Sequence, residues 1–319
     1  MPLVKEGSHL RILSPSSSIE RLGGFDANLA AKERLEKLGF HLSFSEHYFE
    51  TDLFDSASIE SRVADLHAAF ADDTVDGILA TIGGFNSNEL LPYLDYDLIA
   101  QNPKLICGYS DTTAILNAIY AKTGMPTYMG PSYSSFKMEE GQDYQSAAWL
   151  RAVTQSAYGL EPSQEWSSDA WYDPSQARHF IPTEWKVYNE GRAEGIAIGG
   201  NISTFNLLTG TDYAPKPEKY ILFLEEAEDD VYQIISRHLT AILQAYPNPQ
   251  AVVFGRFPKE CQMTPEIFDF MLAKHPILKQ IPVIYDVDLA HTQPLFTFTI
   301  GGQVKLDTSD LSIEFRVDD

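Results

Sequence analysis

Along the first half of the chain, short apolar runs alternate with amphipathic stretches, the pattern of βα units that build a parallel sheet. Leu10-Arg11-Ile12-Leu13 predicts a strand that ends in the loop Ser14-Pro15-Ser16-Ser17-Ser18. Residues 26–38 predict a helix closed by Gly39, since glycine accepts the left-handed geometry of a helix stop. An extended piece follows around His41 to Phe44, and then Ile59, Val63, Leu66 and Phe70 fall on one helical face. The compact runs 77–82 and 105–108 predict central strands whose C-terminal ends meet Gly83-Gly84 and Tyr109-Ser110. Ligands of open α/β sheets sit outside such ends, so these two turns are the first places to look for a site.

Between about Glu161 and Pro182 the periodicity stops. Trp166, Trp171, Pro162, Pro174 and several Ser and Asp residues predict a linker or a long ordered loop. Beyond it, strand-like runs at 220–224, 251–254 and 282–285 surround a helix marked by Val231, Ile234, Ile235, Leu239 and Ile242. The last stretch predicts strands over 295–300, 304–306 and 311–315, with a turn at Gly301-Gly302. The resulting expectation is α/β. Residues 1–160 form an N-terminal parallel-sheet domain of flavodoxin or Rossmann type, 161–185 a linker, and 186–319 a smaller, mixed, β-rich C-terminal domain.

Composition narrows the possible partners. The 319 residues carry 45 Asp and Glu against 23 Lys and Arg, a formal charge of −22, which argues against a nucleic-acid polymer or an anionic membrane. With 44% hydrophobic residues the chain can bury a sizeable core. No stretch approaches the roughly 18 consecutive apolar residues of a membrane span, and residues 1–8 lack the pattern of a signal peptide, so cytoplasm is the expected location. Cys107 and Cys261 lie far apart in dissimilar contexts, which supports neither a disulfide framework nor a zinc site. Without a His-Glu-x-x-His or a cluster of metal-ligand spacing, no metal and no cofactor are expected.

The most informative segment is Gly108-Tyr109-Ser110-Asp111-Thr112-Thr113, placed between an apolar run and a helical stretch. A nucleophilic serine needs such a turn, where neighbouring N–H groups can hold an oxyanion; the same residues also serve as simple helix caps. Among eight histidines, His291 stands out because it closes a loop just past an apolar strand. It is read either as a base over a cleft or as a solvated loop residue. Glu225, at the end of the run Leu222-Phe223-Leu224, is either a half-buried carboxylate needing a partner or the start of a solvated acidic turn. Gly83-Gly84 and Gly199-Gly200-Asn201 are glycine-rich turns able to offer backbone N–H groups, the second being otherwise a simple helix start, and Phe85 and Asn201 beside them are candidate substrate contacts.

Taken in this order, with Leu13-Ser14-Pro15-Ser16 ahead of them and Asp286-Val287-Asp288-Leu289-Ala290-His291-Thr292-Gln293-Pro294 behind, these segments resemble the serine peptidase family of LD-carboxypeptidases and microcin C immunity peptidases. The resemblance implies a Ser110, Glu225, His291 triad at the interface of two domains, oxyanion donors at the backbone N–H groups of Asp111 and Gly84, and a homodimer. The aromatic 161–185 segment looks closer to the immunity branch. There Trp171 would stack on the base of a peptidyl- or aminoacyl-nucleotide, and the small substrate would be cleaved in self-immunity or detoxification. A murein tetrapeptide LD-carboxypeptidase is the alternative. A reading of another class keeps Ser110 as a helix cap in a non-catalytic protein that binds a small ligand.

Overall fold

The computed structural model describes residues 3–172, 177–289 and 291–317. Residues 173–176, including Pro174 of the predicted linker, and Ala290 of the motif that carries His291 lie outside the described residues. The N-terminal half runs β1 (His9–Leu13), α1 (Leu29–Lys37), β2 (His41–Phe44), α2 (Ile59–Ala71), β3 (Gly77–Ala80), α3 (Tyr96–Gln101), β4 (Leu105–Gly108), α4 (Thr113–Thr123), β5 (Thr127–Met129) and α5 (Gln142–Thr154). The five strands pair in the parallel order β2-β1-β3-β4-β5, a doubly wound flavodoxin-like sheet. β3 and β4 are buried at every residue, as their uninterrupted apolar sequence requires of strands covered on both faces. The predicted helix over 26–38 begins instead with a separate 3-10 turn at Asp26–Asn28, and Gly39 follows α1 with φ +97°.

The remainder comprises β6 (Ala157–Gly159), β7 (Glu165–Trp166), β8 (Ile181–Pro182), β9 (Lys186–Asn189), β10 (Arg192–Asn201), α6 (Ile202–Asn206), β11 (Tyr220–Glu225), α7 (Tyr232–Ala245), β12 (Ala251–Gly255), α8 (Pro265–Ala273), β13 (Val283–Val287), β14 (Phe298–Ile300), β15 (Gln303–Asp307) and β16 (Ser312–Arg316). Eight of these strands form a mixed sheet, β6-β16-β15-β10-β11-β12-β13-β9, in which β10 to β13 are parallel and the flanks antiparallel. Among the described residues, no helix is long and apolar enough to cross a membrane.

The chain crosses the predicted division of 160 and 186 twice. β6 joins the second sheet by pairing with β16, and β14 adds an antiparallel edge to β5 of the first. The two halves therefore share a backbone seam. The 161–185 segment is ordered where it is described: β7 pairs with β8, and Ser167 exchanges backbone hydrogen bonds with Gln293 at 2.8 and 2.9 Å. Gly199 and Gly200 are not a free turn but the last part of β10, with φ +117° and +131°. A Cβ on Gly199 would lie 2.3 Å from the carbonyl oxygen of Phe223, and one on Gly200 would lie 2.7 Å from Thr113 Oγ1, so only glycine lets these elements approach.

Candidate active site

Both parallel arrays point the C-terminal ends of their strands at one cleft. In the first sheet the order reverses between β1 and β3, and the loops after these two strands, held by Ser17 N–H donating to the Gly83 carbonyl at 3.1 Å, form its floor. Ser110 stands two residues past the end of β4, after Tyr109, and holds φ at +62°, a left-handed conformation that costs a non-glycine residue on the order of 1–3 kcal/mol and is retained where packing enforces it. Asp111 supplies that packing. Its buried carboxylate accepts from Ser16 Oγ and, at 2.8 Å, from the Ser87 N–H, while Ser87 Oγ donates to its carbonyl at 2.6 Å. Gly83 leaves the space: a Cβ there would sit 2.7 Å from Ser110 Cβ and 2.8 Å from its Oγ.

The helix-cap alternative for Ser110 does not hold. α4 begins after Thr112, without a side-chain cap bond, and Ser110 Oγ instead lies 3.0 Å from His291 Nε2. His291 Nδ1 is in turn 2.5 Å from Glu225 Oε2. Glu225 ends β11 fully buried, closer to the interior than its half-buried reading, and Gly255 at the end of β12 makes room, since a Cβ there would meet Glu225 Cβ at 2.9 Å. Burial opposes a charge on His291, but the adjacent Glu225, its hydrogen bond, and the charges of Glu228 and Glu226 prevail and push the imidazole up to about 9. The Tyr109 ring lies beside the imidazole at 5.3 Å between centroids.

The cleft has a volume of about 410 Å³. Ser110, His291, Gly84, Phe85 and Trp171 all line it, together with Arg21 and Tyr172, which sequence reasoning did not single out. Arg21 places its guanidinium over the Phe85 ring, 5.6 Å from its centroid, and Phe85 is 67% exposed. Trp171 packs edge-on to Tyr172 at 5.9 Å. Trp166 and Trp185 have structural roles instead: Trp166 lies under the Arg256 guanidinium, and Trp185 Nε1 donates to Asp288 at 2.8 Å.

Asn201 is not among the residues lining the cleft. It is buried as the N-cap of α6, its Oδ1 accepting from Thr204 N–H at 3.1 Å and its Nδ2 donating to Glu226 at 2.7 Å. Glu226, buried beside Glu225, is pushed up to about 7. The fold also brings one ligand atom each of Glu226, Asp230 and His238 within 4.8 Å of one another, residues too scattered among charged neighbours to be noticed in the sequence. Glu226 there is already engaged, accepting from Asn201, Ser203 and Ala227.

The models of the LD-carboxypeptidase N-terminal and C-terminal domains match residues 10–130 and 194–306. YocD of Bacillus subtilis (strain 168), a provisionally named carboxypeptidase, is 43% identical over 308 residues, covering 95% of this chain and 94% of its own. The microcin C7 self-immunity protein MccF of Escherichia coli is 30% identical over 339 residues, covering 96% of both chains. Its structure in complex with aspartyl sulfamoyl adenosine superposes with a TM-score of 0.89 at 28% identity, covering 99% of this chain and 98% of that one. A crystal structure of an MccF-like protein from Bacillus anthracis (strain Ames) reaches a TM-score of 0.94 at 43% identity, with coverage of 99% and 98%. Two matched domains, with relatives of this identity along nearly their full lengths, establish that the chain belongs to the LD-carboxypeptidase family of serine peptidases.

Proposed function

We propose that this chain hydrolyses an amide-type C–N bond between an aminoacyl or peptidyl group and a nucleotide-like leaving group, with Ser110 as nucleophile, His291 as base and Glu225 as its orienting acid. The observation that carries the chemistry is the unbroken hydrogen-bonded chain from Ser110 Oγ through both imidazole nitrogens to Glu225. Neutral His291 accepts the Ser110 proton at Nε2 as Oγ attacks the carbonyl carbon. The N–H groups of Asp111 and Gly84 hold the resulting oxyanion. Collapse breaks the C–N bond, His291 returns the proton to the leaving nitrogen, and a water activated by the same histidine cleaves the acyl ester, restoring Ser110. No group beyond the chain's own residues and water is needed for these steps.

The leaving-group assignment rests on the cleft. Trp171 and Phe85 offer aromatic faces to a base, Arg21 offers a cation to a phosphate or sulfamoyl group, and the related MccF holds an aminoacyl sulfamoyl adenosine. The test is mass-spectrometric product analysis with alanyl sulfamoyl adenosine and a murein tetrapeptide side by side. Release of sulfamoyl adenosine, reduced at least about 10³-fold in Ser110→Ala, is the expected result. Loss of terminal alanine from the murein peptide alone would replace the substrate assignment. An undiminished Ser110→Ala rate would overturn the mechanism.

A further inference from the structure

The charges around the cleft are uneven. Arg21 is the one Arg or Lys among the described lining residues, against four carboxylates: Asp169, Glu228, Asp229 and Glu260. Asp169 is committed, accepting from Lys259 Nζ at 2.6 Å and from the His179 N–H at 2.8 Å. The other three are exposed and have neither a hydrogen bond nor an ion pair among the described residues. They sit close to the reacting centre. Glu228 follows Glu225 by only three residues, and its field acts on both His291 and Tyr109. Glu228, Glu260 and Asp229 all act on Tyr172, across the same cavity from which Arg21 opposes them. Asp229 in turn feels His291.

Carboxylates left without partners beside a nucleophile discriminate between substrates of different charge, because a like charge brought among them is repelled and an opposite one is drawn in. We propose that Glu228, Asp229 and Glu260 form an acidic rim that selects acyl groups bearing a cationic side chain, such as lysyl or arginyl, and disfavours acidic ones. This inference rests on the reading of the site as a hydrolase of aminoacyl nucleotides. It assigns this chain a preference opposite to the aspartyl group that the related MccF structure holds. The α-ammonium group is common to all aminoacyl conjugates, so it cancels from the comparison and the side chain alone decides.

The experiment is steady-state turnover of lysyl, alanyl and glutamyl sulfamoyl adenosine by the full chain at one pH, repeated with the Glu228→Gln/Asp229→Asn double variant. A single leaving group makes the ratio of kcat/KM values report the acyl part, and the ratio also cancels any change in His291 basicity. The expected lysyl-to-glutamyl ratio is at least about tenfold in the wild type, shrinking toward one in the variant. In the wild type alone it shrinks again as salt rises from about 20 mM to 500 mM, because exposed charges are screened. Alanyl turnover with a ratio near one overturns the rim and leaves the nucleotide reading standing. A ratio unmoved by both the variant and salt likewise overturns the rim. Absence of turnover for all three conjugates overturns both.

Discussion

At the residue scale, the proposed mechanism makes the titration of His291 govern when the site can work. Only the neutral imidazole can take the Ser110 proton, and the carboxylates around His291 hold it charged up to about 9, above the ordinary 6.5. The kcat/KM profile is therefore expected to rise through the alkaline range, with its inflection well above that of a free histidine. Glu225→Gln removes the largest of the acidic influences, so the inflection moves to lower pH while kcat falls by about 10³–10⁴, the cost of a misoriented imidazole. A variant whose inflection stays in place would show that Glu225 does not set it. The linkage to stability follows in sign: a raised folded-state value means that His291 stabilises the fold fully below about 6.5 and that this contribution is lost as pH rises through about 9. Gly83 makes a second prediction at this scale. Gly83→Ala drives a methyl group into Ser110 Oγ, so kcat is expected to fall at least about 10²-fold, with the far-ultraviolet circular dichroism unchanged.

At the scale of elements, the loop that forms one wall of the cleft is fastened by a buried ion pair. Arg256 and Asp288, both almost wholly buried, pair at 2.9 Å. Asp288 also accepts from Ser163 Oγ at 2.5 Å, from Ser163 N–H at 3.1 Å and from Trp185 Nε1, while Trp166 lies 4.8 Å below the guanidinium. These contacts tie 163–166 and 185 to the ends of β12 and β13, and Ser168 to Tyr172 of the cleft wall hang between them. Asp288→Ala leaves Arg256 buried without its counter-charge and is expected to cost about 3–5 kcal/mol in urea unfolding. Replacing both partners, as Arg256→Met with Asp288→Leu, is expected to cost less, because no unpaired charge is left inside. A double variant as unstable as the single one would show that the hydrogen bonds to the loop, rather than the orphaned charge, dominate.

At the scale of the whole molecule, β3, β4, β11, β12 and β13 were legible in the sequence because they are continuous apolar runs, and the triad candidates because each stands at the end of such a run or just past it, whereas β10, in which charged residues and glycines interrupt the apolar ones, was not. The exchange of β6 and β14 between the halves was not legible. Three-residue strands carry too little periodicity to show which sheet they join. Nor was the role of Gly199 and Gly200, since a glycine pair in sequence does not distinguish a turn from a close crossing of backbones. That crossing is where Asn117 of α4 acts. Its Oδ1 accepts from Gly199 N–H at 3.2 Å, and its Nδ2 donates to the Gly199 carbonyl at 2.8 Å. α4 grows out of the Ser110 turn, and β10 is in register with β11, Asn201 opposite Glu225, so one buried amide links the element that follows Ser110 to the pair of strands that carries Glu225. Asn117→Ala would leave the Gly199 N–H and carbonyl buried without partners, a loss of about 1–3 kcal/mol. It would also loosen the register on which the contact between His291 and Ser110 depends. The expectation is a fall in kcat of about tenfold or more, with KM changed less, because the Asn117 side chain hydrogen-bonds to Thr113 and Gly199, neither of which lines the cleft, and so acts through the alignment of the two halves. Reduced stability with unchanged kcat would mean that the halves stay aligned without this clamp, held by the exchanged strands β6 and β14 and by the Asn201 N–H on Thr113 Oγ1.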